Sequence, residues 1–273
     1  MKPSLLKTSL IIITACLLST AATSQGAYIN VNAGYGFRMS SNYISSFSFH
    51  NVIETSNSRF AEQVFVSFGQ GFTGGGSFGY MFNKNIGAEI SASYLFGNIY
   101  NAEKFENDRI IDMTLSAKML RINPVLVLHA GFEKIDPYAK FGMIAGFGKI
   151  WYEENRIYHD NGDDLFTKKK LSGGIPVGLS SSLGINYRLS DRLSFFIEMN
   201  MVNLSYSPLK GEVIEYIKKG EDALSDLTTF YRETEYVDSY KDTGMDGNEP
   251  DKQIKQTFPF GSFGPCFGLL IRL

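Results

Sequence analysis

In successive segments of about ten residues, bulky apolar side chains take every second position of this chain and small or polar residues take the others. Near the start, Ile29, Val31, Ala33, Tyr35 and Phe37 interleave with Asn30, Asn32, Gly34, Gly36 and Arg38. At the end, Phe263, Phe267, Leu269, Ile271 and Leu273 interleave with Ser262, Gly264, Cys266, Gly268 and Arg272. Period two marks a β-strand with two unlike faces. A face of aromatic rings backed by glycine, serine and charge suits a strand with lipid on one side and a barrel interior on the other. The pattern therefore predicts an all-β fold, an eight-stranded antiparallel transmembrane β-barrel. A soluble sandwich or lipocalin-like barrel with its rings turned inward would use the same strands. The connection lengths favour the membrane form.

The predicted strands lie at about 27–38, up to Phe82, at 86–97 and 112–128, from Pro137 onward, at 174–188, from Leu193 onward, and at 256–273. Three connections are short turns, near Lys84, Glu133 and Asp191, and four are long, at about 39–63, 98–111, 151–172 and 205–255. Short periplasmic turns and long extracellular loops are the asymmetry of outer-membrane barrels, and an even strand number puts both chain ends on the periplasmic side. The fourth strand breaks its own alternation. Thr114, Ser116 and Lys118 share one parity, while Arg121 and Asn123 share the other. A β-bulge between Lys118 and Arg121 is expected to restore the register. In the last long loop, Ala223, Leu224, Leu227, Phe230 and Tyr231 recur at helical spacing behind Glu221-Asp222, which predicts one or two short helices.

Residues 1–24 read as a secretory signal peptide: Lys2 and Lys7 are basic, Leu10 to Leu18 is apolar, and Ala22-Thr23-Ser24 offers small residues for cleavage. That leaves 25–273 as an outer-membrane β-barrel domain. Ile13-Thr14-Ala15-Cys16 also fits a lipoprotein box, which would leave Cys16 lipidated instead of removed. Export through Sec, together with the barrel pattern, points to the outer membrane of a Gram-negative cell. No later segment is a long unbroken apolar run of the kind a transmembrane helix needs. Without Lys2 and Lys7 the chain carries 24 basic and 28 acidic residues, a net charge of −4, which excludes a strongly basic nucleic-acid surface. Cys266 is then the one remaining cysteine, so no internal disulfide forms.

Four stretches carry a resemblance: Tyr28 to Phe37, Asn85-Ile86-Gly87-Ala88-Glu89, Pro137-Tyr138-Ala139-Lys140-Phe141-Gly142, and the C-terminal strand. They resemble the small outer-membrane β-barrel family that includes the OmpA transmembrane domain, OmpX and OmpW. The chain is most similar to the "outer membrane protein beta-barrel domain" or porin-family proteins of Bacteroidetes, over essentially all of the mature sequence. The resemblance implies outer-membrane lipid as surroundings and insertion by the barrel-assembly machinery. Its OmpW-like branch implies a narrow channel for small or apolar molecules. Such barrels usually end in an aromatic residue, whereas this chain ends in Leu273.

An eight-stranded barrel is just wide enough for side chains to fill. Glu89, Lys140, Arg188, Glu198 and Arg272 fall at inward positions. With both signs present they are expected to form an interior ion-pair network that satisfies buried charge, not an open diffusion path. A gated ionic path is the functional alternative. Lys168, Lys169 and Lys170 precede the sixth strand, where lipopolysaccharide phosphates would meet them; a plain solvated charge run has the same composition. Trp151, Tyr152 and Tyr158 suit an interfacial aromatic belt. Asp242-Thr243-Gly244-Met245-Asp246-Gly247-Asn248 meets part of a calcium loop, but Gly244 and Gln253 stand where two oxygen donors are required. Asp160, Asp163 and Asp164 make a similar acidic turn.

The residues from Tyr206 to Lys255 include twelve acids and seven bases, which suits either a partner-binding face or a cover over the barrel mouth. The histidines are His50, His129 and His159, none beside a serine on a strand at the outer rim, so no hydrolytic dyad is predicted. The sequence calls for no cofactor or metal and names no external protein partner. The expected role is structural or interactive, through the external loops, with the narrow channel as the alternative.

Overall fold

The computed structural model describes residues 26–39, 42–43, 47–159, 163–241, 244 and 246–273. The expected leader at 1–24, Cys16, Asp160, and the Asp242, Thr243 and Met245 positions of the calcium-like turn lie outside the described residues.

Eight long strands carry the fold: β1 (Gly26–Arg38), β2 (Gly71–Met81), β3 (Ile86–Gly97), β4 (Arg109–His129), β5 (Ile135–Tyr158), β6 (Val177–Arg188), β7 (Leu193–Asn203) and β8 (Ser262–Arg272). Each pairs antiparallel with the next. β8 pairs back onto β1, from Tyr28 opposite Arg272 to Arg38 opposite Ser262, so the circuit of hydrogen bonds has no free edge. The three short turns lie where the sequence places them. Asn83 Oδ1 accepts from the backbone N–H groups of Asn85 and Ile86, both at 2.8 Å, which fixes the first. No helix among the described residues is long and apolar enough to cross a membrane.

Around this circuit the outward face is apolar. Phe72, Phe141 and Leu183 are 67%, 62% and 70% exposed. A continuous exposed belt of this kind is far larger than the patches soluble monomers leave in water.

The long connections differ from expectation. β4 has 21 residues and β5 has 24, about twice the 9–11 that a tilted strand needs to cross a bilayer. Their outer halves form a mast on which the sheet continues. On one side Tyr100–Phe105 pairs with β4, His50–Thr55 pairs with Tyr100–Phe105, and Ser58–Gln63 forms the last strand. On the other, Asp164–Ser172 pairs with β5, followed by Lys210–Lys218, Glu233–Val237 and Asp251–Ile254. The described residues thus hold more strands than eight. In the last long loop, short helical turns form at Leu224–Asp226 and Thr229–Arg232, within the stretch of helical spacing.

No bulge separates Lys118 from Arg121. Pairing is continuous from Lys118 opposite Lys149 to Ile122 opposite Ala145, and from Lys118 opposite Phe96 to Ile122 opposite Ala92. What changes is the chemistry of the two faces. Below this level β4 turns Arg121, Asn123, Val125 and Val127 inward and Leu120, Ile122, Leu126 and Leu128 outward. Above it, Ile111, Met113, Leu115, Ala117 and Met119 are inside, while Asp112, Thr114, Ser116 and Lys118 are outside. β5 inverts at the same height: Phe141, Met143 and Phe147 point out below, Lys149 and Glu153 above, and Ile150 and Tyr152 are buried inside. Such an inversion fits apolar surroundings and a polar interior below, and water outside above, where only inward burial stabilises an apolar side chain. Tyr152 therefore belongs to a core and not to an aromatic belt. Trp151 faces out, with the Lys118 ammonium 5.9 Å from its ring centroid.

Candidate functional site

The barrel interior is layered. At the short-turn end its mouth is lined by Asn83, Lys84, His129, Asp136, Arg188 and Arg272, among others. His129 Nδ1 lies 2.7 Å from Asp136 Oδ2. Arg188 is exposed, and Arg272 donates to the Asp191 carbonyl at 3.4 Å. These two arginines, expected in the interior network, instead border this mouth.

Above the mouth, Tyr28, Tyr138, Phe196 and Leu270 form a small apolar floor. Glycines make room for it. A Cβ on Gly79 would stand 2.1 Å from the Tyr28 ring, and one on Gly184 would stand 2.5 Å from the Tyr138 ring. Both glycines sit directly across the ladder from their tyrosine.

On this floor stand three of the predicted residues. Lys140 Nζ donates to Glu89 Oε1 at 3.0 Å and lies 3.3 Å from Glu198 Oε2. Tyr28 donates to Glu89 Oε2 at 2.8 Å and Tyr138 to Glu198 Oε2 at 2.7 Å. The Lys140 ammonium lies 5.3 Å from the Tyr138 ring centroid and 5.6 Å from that of Phe196. The side chains of Glu89, Glu198 and Lys140 are 4%, 6% and 11% exposed, so the ion pairs cross the lumen away from bulk water. Desolvation opposes such a bridge, and the two tyrosine hydroxyls supply the further hydrogen bonds that offset it.

Beyond the bridge lies a polar cavity of about 90 Å³, lined by Arg121, Asn123, Ser91, Ser93, Ser180 and Asn200, among others. Arg121 is 3% exposed and is a buried charge that the sequence reading assigned to a register slip.

An apolar cap closes the long-loop end. The segments just before β2 and β8 fold over the lumen and bond to one another, Phe68 N–H donating to Pro259 O at 2.9 Å, while Phe260 N–H donates to Leu204 O, just after β7, at 2.9 Å. Phe68 stacks on Phe260 with centroids 5.5 Å apart, and Tyr206 meets Phe260 edge-on at 5.7 Å. Phe49, Phe68, Phe258 and Phe260 are at most 1% exposed and join Leu95, Met113, Leu115, Met119 and Ile150 in one core. Full burial contributes about 1.5–3 kcal/mol per large side chain, so this cap has the energetics of a soluble domain's core.

Lys168, Lys169 and Lys170 lie on Asp164–Ser172, in the external sheet. Lys168 reaches Glu153 at 3.0 Å and Glu215 at 3.7 Å, and Lys170 reaches Glu212 at 2.7 Å. Lys169 donates to Thr234 Oγ1 at 2.9 Å and lies 5.9 Å from the Tyr236 ring centroid. Burial pushes Lys169 below the ordinary lysine value, against a weaker upward pull from Asp251. Tyr236 is pushed up to about 12, first by burial and then by Asp251. The hydrogen bond from Lys170 holds Glu212 below the usual carboxylate range. A depressed carboxylate stabilises the fold above its unfolded value, and that contribution is lost as pH falls through the folded value. Acidification below the ordinary carboxylate range is therefore expected to speed amide exchange in Lys210–Lys218, and Glu212→Gln is expected to remove part of that pH dependence. Exchange that is independent of pH after correction for intrinsic rates would contradict the tie.

The family model described as the outer membrane protein beta-barrel domain matches residues 8–228. Among solved structures, Neisserial surface protein A is similar at 11% identity, with 92% of this chain and 100% of that one covered and a TM-score of 0.36. CarO2 of Acinetobacter baumannii is similar at 12% identity, with 92% and 100% covered and a TM-score of 0.34. The outer membrane protease OmpT of Escherichia coli is similar at 8% identity, with 93% and 100% covered and a TM-score of 0.28. No curated protein matches the chain. The family match spans most of the sequence: this chain belongs to the outer membrane protein β-barrel domain family.

Proposed function

We propose that the eight-strand circuit is a transmembrane barrel closed to diffusion, and that the protein works through the sheet it raises outside the outer membrane, in a structural or interaction role. Export through Sec with removal of residues 1–24 is part of this reading. The observation that supports it is the doubly blocked lumen. The Glu89–Lys140–Glu198 bridge crosses it at one level, and the Phe68–Phe260 cap covers it at another. The rival, a narrow channel for small or apolar molecules, draws on the polar cavity between the two blocks, but passage would require both to move. Lipopolysaccharide phosphates would reach Lys168 and Lys170 only by displacing Glu153, Glu215 and Glu212.

In planar lipid bilayers the purified protein is expected to give no discrete openings. Regular single-channel events would overturn the closed reading and favour the channel. The orientation in the membrane has its own test. Phe141→Arg places a charge on the outward face below the inversion and is expected to cost about 2–4 kcal/mol in urea unfolding from lipid vesicles. Lys149→Ala, above the inversion on the same strand and face, is expected to change stability by less than about 0.5 kcal/mol. Equal effects would remove the basis for placing the lipid boundary between them.

A further inference from the structure

We infer that the cavity between the ion-pair bridge and the apolar cap is a binding site for a small monovalent inorganic anion, held by Arg121 and Asn123. Arg121 points inward from β4 and is 3% exposed. A guanidinium keeps its charge throughout the working pH range. Its Nε has no hydrogen-bond partner, and Nη2 reaches one acceptor, the Phe260 carbonyl, at 3.4 Å. An ionised group out of water without a counter-charge is strongly disfavoured, which is why buried charges are found paired.

The buried cation on the next strand shows the contrast. Lys140 holds two carboxylates, and those carboxylates are occupied by Lys140, Tyr28 and Tyr138. Among the described residues no carboxylate is within ion-pair distance of Arg121. Glu89, Lys140 and Glu198 also line this cavity, so the site lies at its Arg121 end, where direct contact with the guanidinium outweighs repulsion from the more distant carboxylates that Lys140 already neutralises in part.

The surroundings suit such an anion. Asn123 lies two residues along the same strand, on the same face. Its Oδ1 accepts from the Ser180 hydroxyl at 2.7 Å, which leaves its Nδ2 as the donor toward the cavity. Ser93 sits across the ladder from Arg121, and Ser91 across from Asn123. The space is about 90 Å³, while one water needs about 10–15 Å³, so a halide fits with part of its hydration shell. A single available cation favours one negative charge over two, and the apolar cap keeps bulk water from screening the contact.

Bromide is the probe. Crystals of the folded protein soaked in bromide are expected to show an anomalous peak beside Arg121. In detergent, the thermal midpoint is expected to rise in sodium bromide relative to sodium gluconate at equal ionic strength. Arg121→Met should lose both the peak and the halide-dependent shift while keeping the gel-mobility change that marks a folded barrel. Asn123→Ala should bind bromide about ten- to a hundredfold more weakly, the worth of one hydrogen bond to a charged group, and it carries the test if Arg121→Met does not fold. Ordered water alone at Arg121, a peak with no halide-dependent stability in solution, or a shift that persists in Arg121→Met would each overturn the assignment.

Discussion

Replacing Lys140 with methionine lowers the unfolding free energy by about 3–5 kcal/mol, read from urea titration in lipid vesicles. The substitution keeps most of the side chain's length but leaves two carboxylates, 4% and 6% exposed, facing one another with no cation between them. Each retains a tyrosine hydroxyl, which supports an ionised carboxylate but does not neutralise it. The triple variant Lys140→Met, Glu89→Gln, Glu198→Gln recovers a large part of the loss, because an apolar or neutral replacement of a whole buried charge cluster is often near neutral. If the single variant were as stable as the parent, the bridge would not be holding the lumen together. If the triple variant were no better than the single, the loss would come from packing against Tyr138 and Phe196 and not from stranded charge.

The second large effect lies in the cap. Phe260→Ala removes a ring with no exposed surface from contact with Phe68 and Tyr206 and is expected to cost the cap about 3–5 kcal/mol. Hydrogen exchange should localise the loss to the external sheet and the segments before β2 and β8, with the ladder around Glu89 and Glu198 still protected. Phe141→Ala deletes the same ring from the outward face, where it is 62% exposed, and should leave the cap's exchange unchanged. A cap that stays protected in Phe260→Ala would show that backbone bonds such as Phe68 to Pro259 seal the lumen without the rings.

The strands that stay within the apolar belt were legible because two media press on them at once. β1, β3 and β8 face hydrocarbon-like surroundings on one side and a narrow polar tube on the other, which selects rings against glycine and charge in alternation; the connection lengths separate this setting from a soluble barrel. The outer halves of β4 and β5 keep the same period but exchange the faces. Judged by which parity is polar, Lys118 and Arg121 look out of phase, although the backbone never slips. A polarity test that assumes one solvent along a whole strand cannot separate a bulge from a boundary. Glu89, Lys140 and Glu198 were legible as charges at inward positions. Tyr28 and Tyr138 were missed because an aromatic residue alone does not reveal which face it takes. The available signal was a glycine directly opposite each on the neighbouring strand, Gly79 and Gly184. The cap was illegible because Phe258 and Phe260 fall inside the predicted strand 256–273, whereas the barrel strand begins at Ser262 and Phe258–Pro259 pairs instead with Ser205–Tyr206, in a contact made only after the chain has closed on itself.

The two long strands also settle how force travels through this molecule. β4 and β5 run from the short turn at 130–134 to the tips of the external sheet, paired with each other along nearly their whole length, from Tyr138 opposite His129 to Tyr158 opposite Arg109. No joint interrupts them where the surroundings change. Anything that grips the exterior and tugs therefore loads in shear the ladders that join β4 to β3 and β5 to β6, with many bonds sharing the strain at once. Such a stalk is suited to tethering more than to swinging.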